Sequence, residues 1–406
     1  MKQLPRFAAA VSALVVAASS LVACADGEDS KASGNADSIT LKVSTVFGPE
    51  HWHTQAFEEY ANAVTEKSEG EIQFEYFYGD SLVPTSETTN ALANGTVDVS
   101  FALLSYDPAK FPISSWIAEA EFLGNNSPDA GVLQKVGATL DWAMSNEEYL
   151  AELDQAGLFP LIARMPSHSS YGLMCTSENK SLEDVANKRV RVAGPAWSEE
   201  ANNLGMVPVE LPASESYTSF QQGLLDCFMG GATDVASLGL TQLGGSFNQA
   251  QLTGYNANGL LMSKATWEKL SPDLQDVLWD NLDLYLNNWY SNYRLKNFEF
   301  VEAAEENNVQ IVIPDDEMEK RIKNHHEEVL EKVAHNAPAG VSDGAASVED
   351  LKTKFEKWEG KVNDLGFSEE DNSWAEFASR VNGTPEDIGP FVEAVKTEVL
   401  DKHRPN

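Results

Sequence analysis

The sequence predicts a two-lobed α/β protein whose lobes are spanned by one long helix, with extra helices at the C-terminal end. Three observations lead there. Strand-like and helix-like stretches alternate in two separate halves of the chain. A helix–glycine–strand junction recurs in each half at the same spacing. Beyond both halves, neither Gly nor Pro occurs between Pro272 and Pro314. Strands alternating with helices of this length argue for parallel sheets covered by helices. At 406 residues and 42% apolar content the chain exceeds one ordinary domain and can bury real cores.

The first half opens with SITLKVSTVF (38–47), where Ile39, Leu41 and Val43 alternate as on one face of a strand. A helix follows, with Phe57, Tyr60, Ala61 and Val64 on one side and Gly70 where a left-handed terminating glycine belongs. In EIQFEYFYG (71–79), Ile72, Phe74, Tyr76 and Tyr78 again share a side. A second helix over about 85–94 closes at Gly95, and Val97 to Phe101 returns as a strand. In the second half, strand 189–193 leads to a helix near 197–204, then to VPVEL (207–211), a helix holding Tyr217 and Phe220, and the strand LLDCFM (224–229).

The two halves can be laid over each other. In ALANGTVDV (91–99) and SFQQGLLDC (219–227), Leu92 meets Phe220, Gly95 meets Gly223 and Asp98 meets Asp226. Such junctions can converge independently; the alternative is two similar lobes facing each other across a cleft.

After GLLMS (259–263), Ser271-Pro272-Asp273 supplies an N-cap, a first-turn proline and a first-turn acid. Leu274, Leu278, Leu282, Tyr285, Trp289 and Tyr293 then recur at helical spacing. A single helix from there to Asn307 would be about 55 Å long at about 1.5 Å per residue, enough to lie across both lobes. The expected division is 39–168 for the first lobe, completed by 256–270; 169–255 for the second; 271–313 for the long helix and a following strand; and 314–406 for a helical region interrupted by the loop at 337–346.

Lys2 and Arg6 precede an apolar, small-residue-rich stretch over 7–23, a targeting segment rather than a comfortable membrane span. It ends in LVAC (21–24), which resembles a bacterial lipobox and implies cleavage before Cys24 with a lipid on its thiol. Residues 25–38 are small, polar and without periodicity, as a flexible tether is. The expected location is extracytoplasmic, on the outer face of the cytoplasmic membrane. Formal net charge is −35 from 28 basic and 63 acidic residues. Removing Lys2 and Arg6 leaves 26 basic residues and a mature charge of 26 − 63 = −37. That balance excludes nucleic acid as a partner on electrostatic grounds. Besides Cys24 only Cys175 and Cys227 remain. Without a CxxC spacing they make neither a zinc site nor a redox motif; they pair in an oxidising compartment or stay as buried thiols.

Catalytic signatures are missing: there is no GxSxG, GxxxxGK[ST] or HExxH motif. His51 and His53 lack a second ligand cluster in sequence, which favours loop residues at a strand's C-terminal end, where α/β crevices bind ligands. His325 and His326 read as a solvated helix face. No cofactor or metal is implied, and the chain does not read as an enzyme.

Against this acidic background, KRVRVAGPAW (188–197) crowds Lys188, Arg189 and Arg191 into four positions. The run SLEDVANKRVRV (181–192), then YTSFQQGLLD (217–226), then one long helix resembles the DctP-type extracytoplasmic solute-binding proteins of TRAP transporters. The resemblance covers about 39–315, and His51–His53, Gly70 and Gly95–Asp98 fit it as well. It implies a periplasmic-binding-protein-like (type II) fold whose lobes close on an organic acid and present it to membrane permease subunits. Arg191 then stands where the family grips the ligand carboxylate, a task that suits the bidentate guanidinium fork. Arg189 is expected to be solvated or paired with an acid.

Two departures narrow the ligand. The second arginine the family often carries falls at Leu173, in YGLMCTS (171–177), and Asp226 is followed by Cys227-Phe228-Met229-Gly230-Gly231 rather than by a nearby Asn. Fewer polar groups then reach the ligand, which disfavours C4-dicarboxylates and sugar acids. Trp52, Tyr106, Trp116, Tyr171 and Trp197 at strand ends favour a monocarboxylate with an apolar or aromatic body. The candidate contacts are Arg191, Trp52 and His53, then Ser105, Tyr106 and Tyr171, then Trp197, Gly230 and Gly231. A binding protein of an ATP-driven (ABC) importer and a ligand-presenting sensor module remain alternative readings, as does a lipid-anchored hydrolase.

Overall fold

Eleven strands among the described residues divide between two sheets. β1 (Ile39–Ser44), β2 (Ile72–Phe77), β3 (Val99–Leu103), β4 (Leu158–Met165) and β10 (Asn258–Ser263) form one, in the order β2-β1-β3-β10-β4. β5 (Tyr171–Cys175), β6 (Arg189–Val192), β7 (Val207–Glu210), β8 (Cys227–Gly230), β9 (Ser246–Leu252) and β11 (Gln310–Val312) form the other, in the order β11-β9-β5-β8-β6-β7. This computed structural model describes residues 38–104, 107–254, 258–367, 374, 377 and 387–405. All of them belong to one compact unit, Asp37–Asn406.

The alternation of Leu41 and Val43 puts both in the core, and β1 pairs in parallel with β2 through a crossover by helix Trp52–Lys67. The face chosen by its spacing is the buried one: Phe57, Tyr60, Ala61 and Val64 all lie inside. Gly70 ends the turn at a φ of +82°, the left-handed region that favours glycine.

The junction repeat is a structural repeat. In the first sheet the Asp98 carboxylate accepts the Lys42 amide at 2.9 Å, while the Asp98 amide donates to the Lys42 carbonyl. In the second, Asp226 and Arg189 make the same two bonds, also at 2.9 Å. Gly95 and Gly223 both sit at positive φ, +74° and +66°. One aspartate thus ties the return strand to the opening strand in each lobe, which explains its fixed distance from the glycine. Arg189 is paired, as expected of it: its Nε and Nη2 each reach a carboxylate oxygen of Asp226 at 2.9 Å.

The chain passes between the sheets from β4 to β5 and back from β9 to β10. Helices complete the link, but the expected single long helix is two, Pro272–Asp280 and Leu282–Glu306. Asn281 breaks it: its backbone leaves helical geometry, and its side chain turns back to the Val277 carbonyl and meets Lys67. The second piece, about 37 Å long at about 1.5 Å per residue, starts in the first core with Tyr285 and Trp289 and ends in another with Phe300 and Val301.

The C-terminal helices are built onto the first core. Trp358 of helix Gly344–Asp364 lies flat where Gly137 has no side chain; a Cβ there would come within 2.3 Å of the indole. Asp141 accepts from Trp358 Nε1 at 3.0 Å and from Lys354 and Lys357 at 2.8 and 2.7 Å.

Cys175 and Cys227 are disulfide-bonded across the antiparallel β5–β8 pair, settling the alternative the sequence left open. They lie 52 residues apart, so the bond removes a sizeable loop from the unfolded ensemble. Cys227→Ser is expected to lower unfolding free energy by about 2–4 kcal/mol, read as a denaturant midpoint shift that reductant reproduces in the parent and not in the variant.

Candidate functional site

Arg191 is the side chain from which the site is built. On β6, Val190 and Val192 point into one core, so Arg191 points to the opposite face. It is only 3% exposed. Its guanidinium lies 5.2 Å from the Phe228 ring centroid on the neighbouring β8, and its Nε donates to the Leu211 carbonyl at 2.9 Å. No carboxylate of the described residues comes within ion-pair distance. The other two buried arginines are paired: Arg164 with Glu121, and Arg294 with Asp129 at 3.1 Å. A buried cation normally has a partner, because leaving water is costly without one. Arg191 is therefore a buried guanidinium whose charge no carboxylate among the described residues neutralises.

From Phe228 the wall continues along the strand. Gly230 and Gly231, two of the candidate contacts, make room for neighbouring side chains. A Cβ on Gly230 would meet the Phe228 ring at 2.2 Å, and one on Gly231 would meet the His168 ring at 2.0 Å. His168 lies in the first crossing; its Nε2 contacts Thr233 Oγ1 at 3.2 Å and Asp234 at 3.3 Å. Tyr171 stands edge-on to it, 5.4 Å between centroids, and Trp197 lies 6.1 Å beyond, its Nε1 donating to the Thr253 carbonyl at 3.0 Å. Trp116 is apart from this wall, buried and bonded to the Val333 carbonyl.

The first lobe supplies a histidine–aromatic stack. Phe47, His51 and His53 lie nearly parallel, and Trp52 sits 3.8 Å from His53 and edge-on to Trp289 and Tyr293. Trp52 and His53 are thus brought together and joined through Tyr293, 6.4 Å from His168, to the second wall. Ser105 and Tyr106 lie outside the described residues, as does Cys24. Leu173 is fully buried in β5, so no cation replaces it there.

Burial controls the charge of this region. The His51 imidazole is held down to about 3 by burial, then by Lys296 and His168. His53 is held well below its usual range by burial, then by His51 and His168, and His168 is lowered by burial although Asp234 opposes it. In all three imidazoles the neutral form is favoured over the cation. No group of residues suited to a metal occurs among the described residues.

Sequence reasoning missed the polar framework beneath. Glu121 is pushed up to about 7 by burial and Lys135 down to about 7 by burial, each opposed by charges including the other. Lys135 donates to Asn126 at 3.1 Å. His326 was expected on a solvated face; it instead contacts Glu200 at 2.9 Å and stacks on Phe122 at 4.1 Å. No local signal marks them: Glu121 follows Glu119 in the turn after helix Pro112–Ala118, and Glu200 follows Glu199, ordinary spacings in so acidic a chain.

Because the folded His53 pKa lies below its unfolded value near 6.5, the unfolded state binds more protons between the two. Stability should therefore fall as pH drops below about 6.5, by up to about 1.4 kcal/mol per pH unit for one such group. Melting temperatures from pH 7 to pH 5 should decline less steeply for His53→Gln than for the parent.

Comparison with known proteins places the fold. Residues 43–336 match the family of bacterial extracellular solute-binding proteins, family 7 (DctP). A solute-binding protein of Albidiferax ferrireducens is 22% identical over 54% of this chain and 62% of its own length. The chain thus spans about three fifths of the length of such curated relatives. The structure of a marine metagenome TRAP solute-binding protein specific for pyroglutamate superposes with a TM-score of 0.66 at 18% identity, over 78% of this chain and 99% of that one. Another marine metagenome TRAP protein, specific for aromatic acids and holding metahydroxyphenylacetate, gives 0.67 at 19%, over 79% and 99%. No helix among the described residues is long and apolar enough to cross a membrane. With the family match covering most of the chain and two sheets joined by paired crossings, the protein belongs to the bacterial extracellular solute-binding proteins of family 7, DctP.

Proposed function

We propose that this chain captures a monocarboxylate with an apolar or aromatic body between its lobes, gripping the carboxylate with Arg191. It then delivers the acid to TRAP-type permease subunits. The observation that carries this reading is the buried guanidinium without a carboxylate partner among the described residues. An incoming carboxylate supplies the missing charge through two parallel hydrogen bonds. Leu173, standing where a second arginine is often found, leaves little for a second charged end. Relatives specific for pyroglutamate and for aromatic acids support a compact acid of that kind. Closure follows from differential affinity: a ligand held by both walls stabilises the closed arrangement over the open one. A lipid on Cys24, followed by the tether at 25–38, holds the receptor at the outer face of the cytoplasmic membrane.

In a thermal-shift panel, pyroglutamate or hydroxybenzoates are expected to raise the melting temperature, whereas succinate and glucuronate are not. Arg191→Ala should weaken binding by about 100-fold or more, in keeping with about 3 kcal/mol for one partner of a buried charge pair, and Arg191→Lys should not restore it. Small-angle scattering should show compaction on binding that Arg191→Ala abolishes. A panel in which only small dicarboxylates act would overturn the ligand class, and a mature protein found in the soluble extracytoplasmic fraction would overturn the anchor.

A further inference from the structure

Glu200 is 96% removed from solvent, being 4% exposed, yet it lies in neither carboxylate repeat nor in the wall around Arg191. It belongs to helix Pro195–Asn203, which begins just after the strand that carries Arg191. Its Oε1 accepts the Thr253 amide at 3.0 Å and the Thr253 hydroxyl at 2.7 Å. From the same helix Trp197 holds the Thr253 carbonyl at 3.0 Å. Thr253 stands immediately after β9, where the chain leaves the second sheet for the first. Helix and crossing are therefore clamped through both polar groups of one backbone residue.

The same oxygen meets His326 Nε2 at 2.9 Å. His326 belongs to helix Asp316–His335 and stacks on Phe122 of the first lobe, 4.1 Å between centroids and 8° from parallel. One carboxylate thus joins three bodies: the helix behind Arg191, the second crossing, and a helix seated on the first lobe. Beside it lies a cavity of about 420 Å³, bounded by Phe122, Gln251 and His326 among others. Gln251 has a φ of +49°, a left-handed backbone uncommon for a side-chain-bearing residue, next to an irregularity in the β5–β9 ladder. Close-packed interiors do not bend, so a junction with free volume and a strained residue beside it is where rotation between the lobes can be absorbed.

We propose that Glu200 is a positioning residue for ligand capture, resting on the carboxylate-binding reading above: it sets the crossing at Thr253 against the helix behind Arg191 and reports the state of that junction to His326. Glu200 touches no ligand; it acts through Thr253.

Hydrogen exchange on the full mature chain tests this directly, because the Thr253 amide is bonded to a side chain rather than to a sheet ladder. Glu200→Ala should speed exchange at Thr253 by about tenfold or more, the factor that one lost buried hydrogen bond implies. Among the described residues, faster exchange should be confined to about 250–254 and to the helix around His326, with β6 and β8 unchanged. Glu200→Gln keeps an acceptor for the Thr253 amide and should restore most of the protection. His326→Gln should loosen the C-terminal helix while leaving Thr253 protected. With pyroglutamate and 3-hydroxybenzoate as probes, Arg191→Ala should abolish binding and leave the Thr253 amide slow, while Glu200→Ala should weaken binding with Arg191 intact. Exchange at Thr253 within about twofold of the parent in Glu200→Ala, or loosening spread evenly over the second lobe, overturns the proposal. Failure of either probe to bind the parent bears on the carboxylate reading alone, since exchange still decides the role of Glu200.

Discussion

A guanidinium shut away from water without a carboxylate beside it is the constraint on which the rest of the structure turns. Removing such an ion from solvent costs several kcal/mol even after relaxation. A fold keeps it only where neighbouring elements hold it against escape to the surface. Here the strand is pinned on both sides: Val190 and Val192 are anchored in one core, and the Phe228 ring and Leu211 carbonyl confine Arg191 on the other face. Two residues earlier Arg189 is forked onto Asp226, so the two arginines of one strand have opposite fates. One is neutralised by its own fold, and the other meets no carboxylate among the described residues.

Asp226 has a second task, and its counterpart Asp98 shows what that task is. Each ties a return strand to the opening strand of its sheet by a reciprocal pair of backbone bonds. This local device builds the same βαβ unit twice, once in each sheet. The remaining architecture manages the join between them: two crossings, a helix running from one core into another, and a cluster of buried aromatic rings where they meet.

Much of this was legible in sequence because the signals are local. Period-two alternation marked β1 and β2, terminating glycines marked helix ends, and the Gly–Asp spacing marked the paired junctions. Arg191 stood out because cations are scarce in so acidic a chain. What escaped detection depends on contacts distant in sequence. Asn281 breaks the long helix through its own side chain and Lys67, 214 residues away. The glycines at 230 and 231 serve Phe228 and His168 rather than open space, a matter of which ring lies opposite. Glu200 and His326 are 126 residues apart and ordinary in composition, so nothing local marks them as partners.

The bond between Cys175 and Cys227 has a consequence that depends on the compartment. It fastens the strand that emerges from the first crossing to the strand leading into Gly230 and Gly231, against which His168 packs. A chain still in a reducing cytoplasm would have those strands held by ladder hydrogen bonds alone. In an oxidising compartment the covalent bond adds to them, so this strand pair is fastened more firmly outside the cytoplasm than within it.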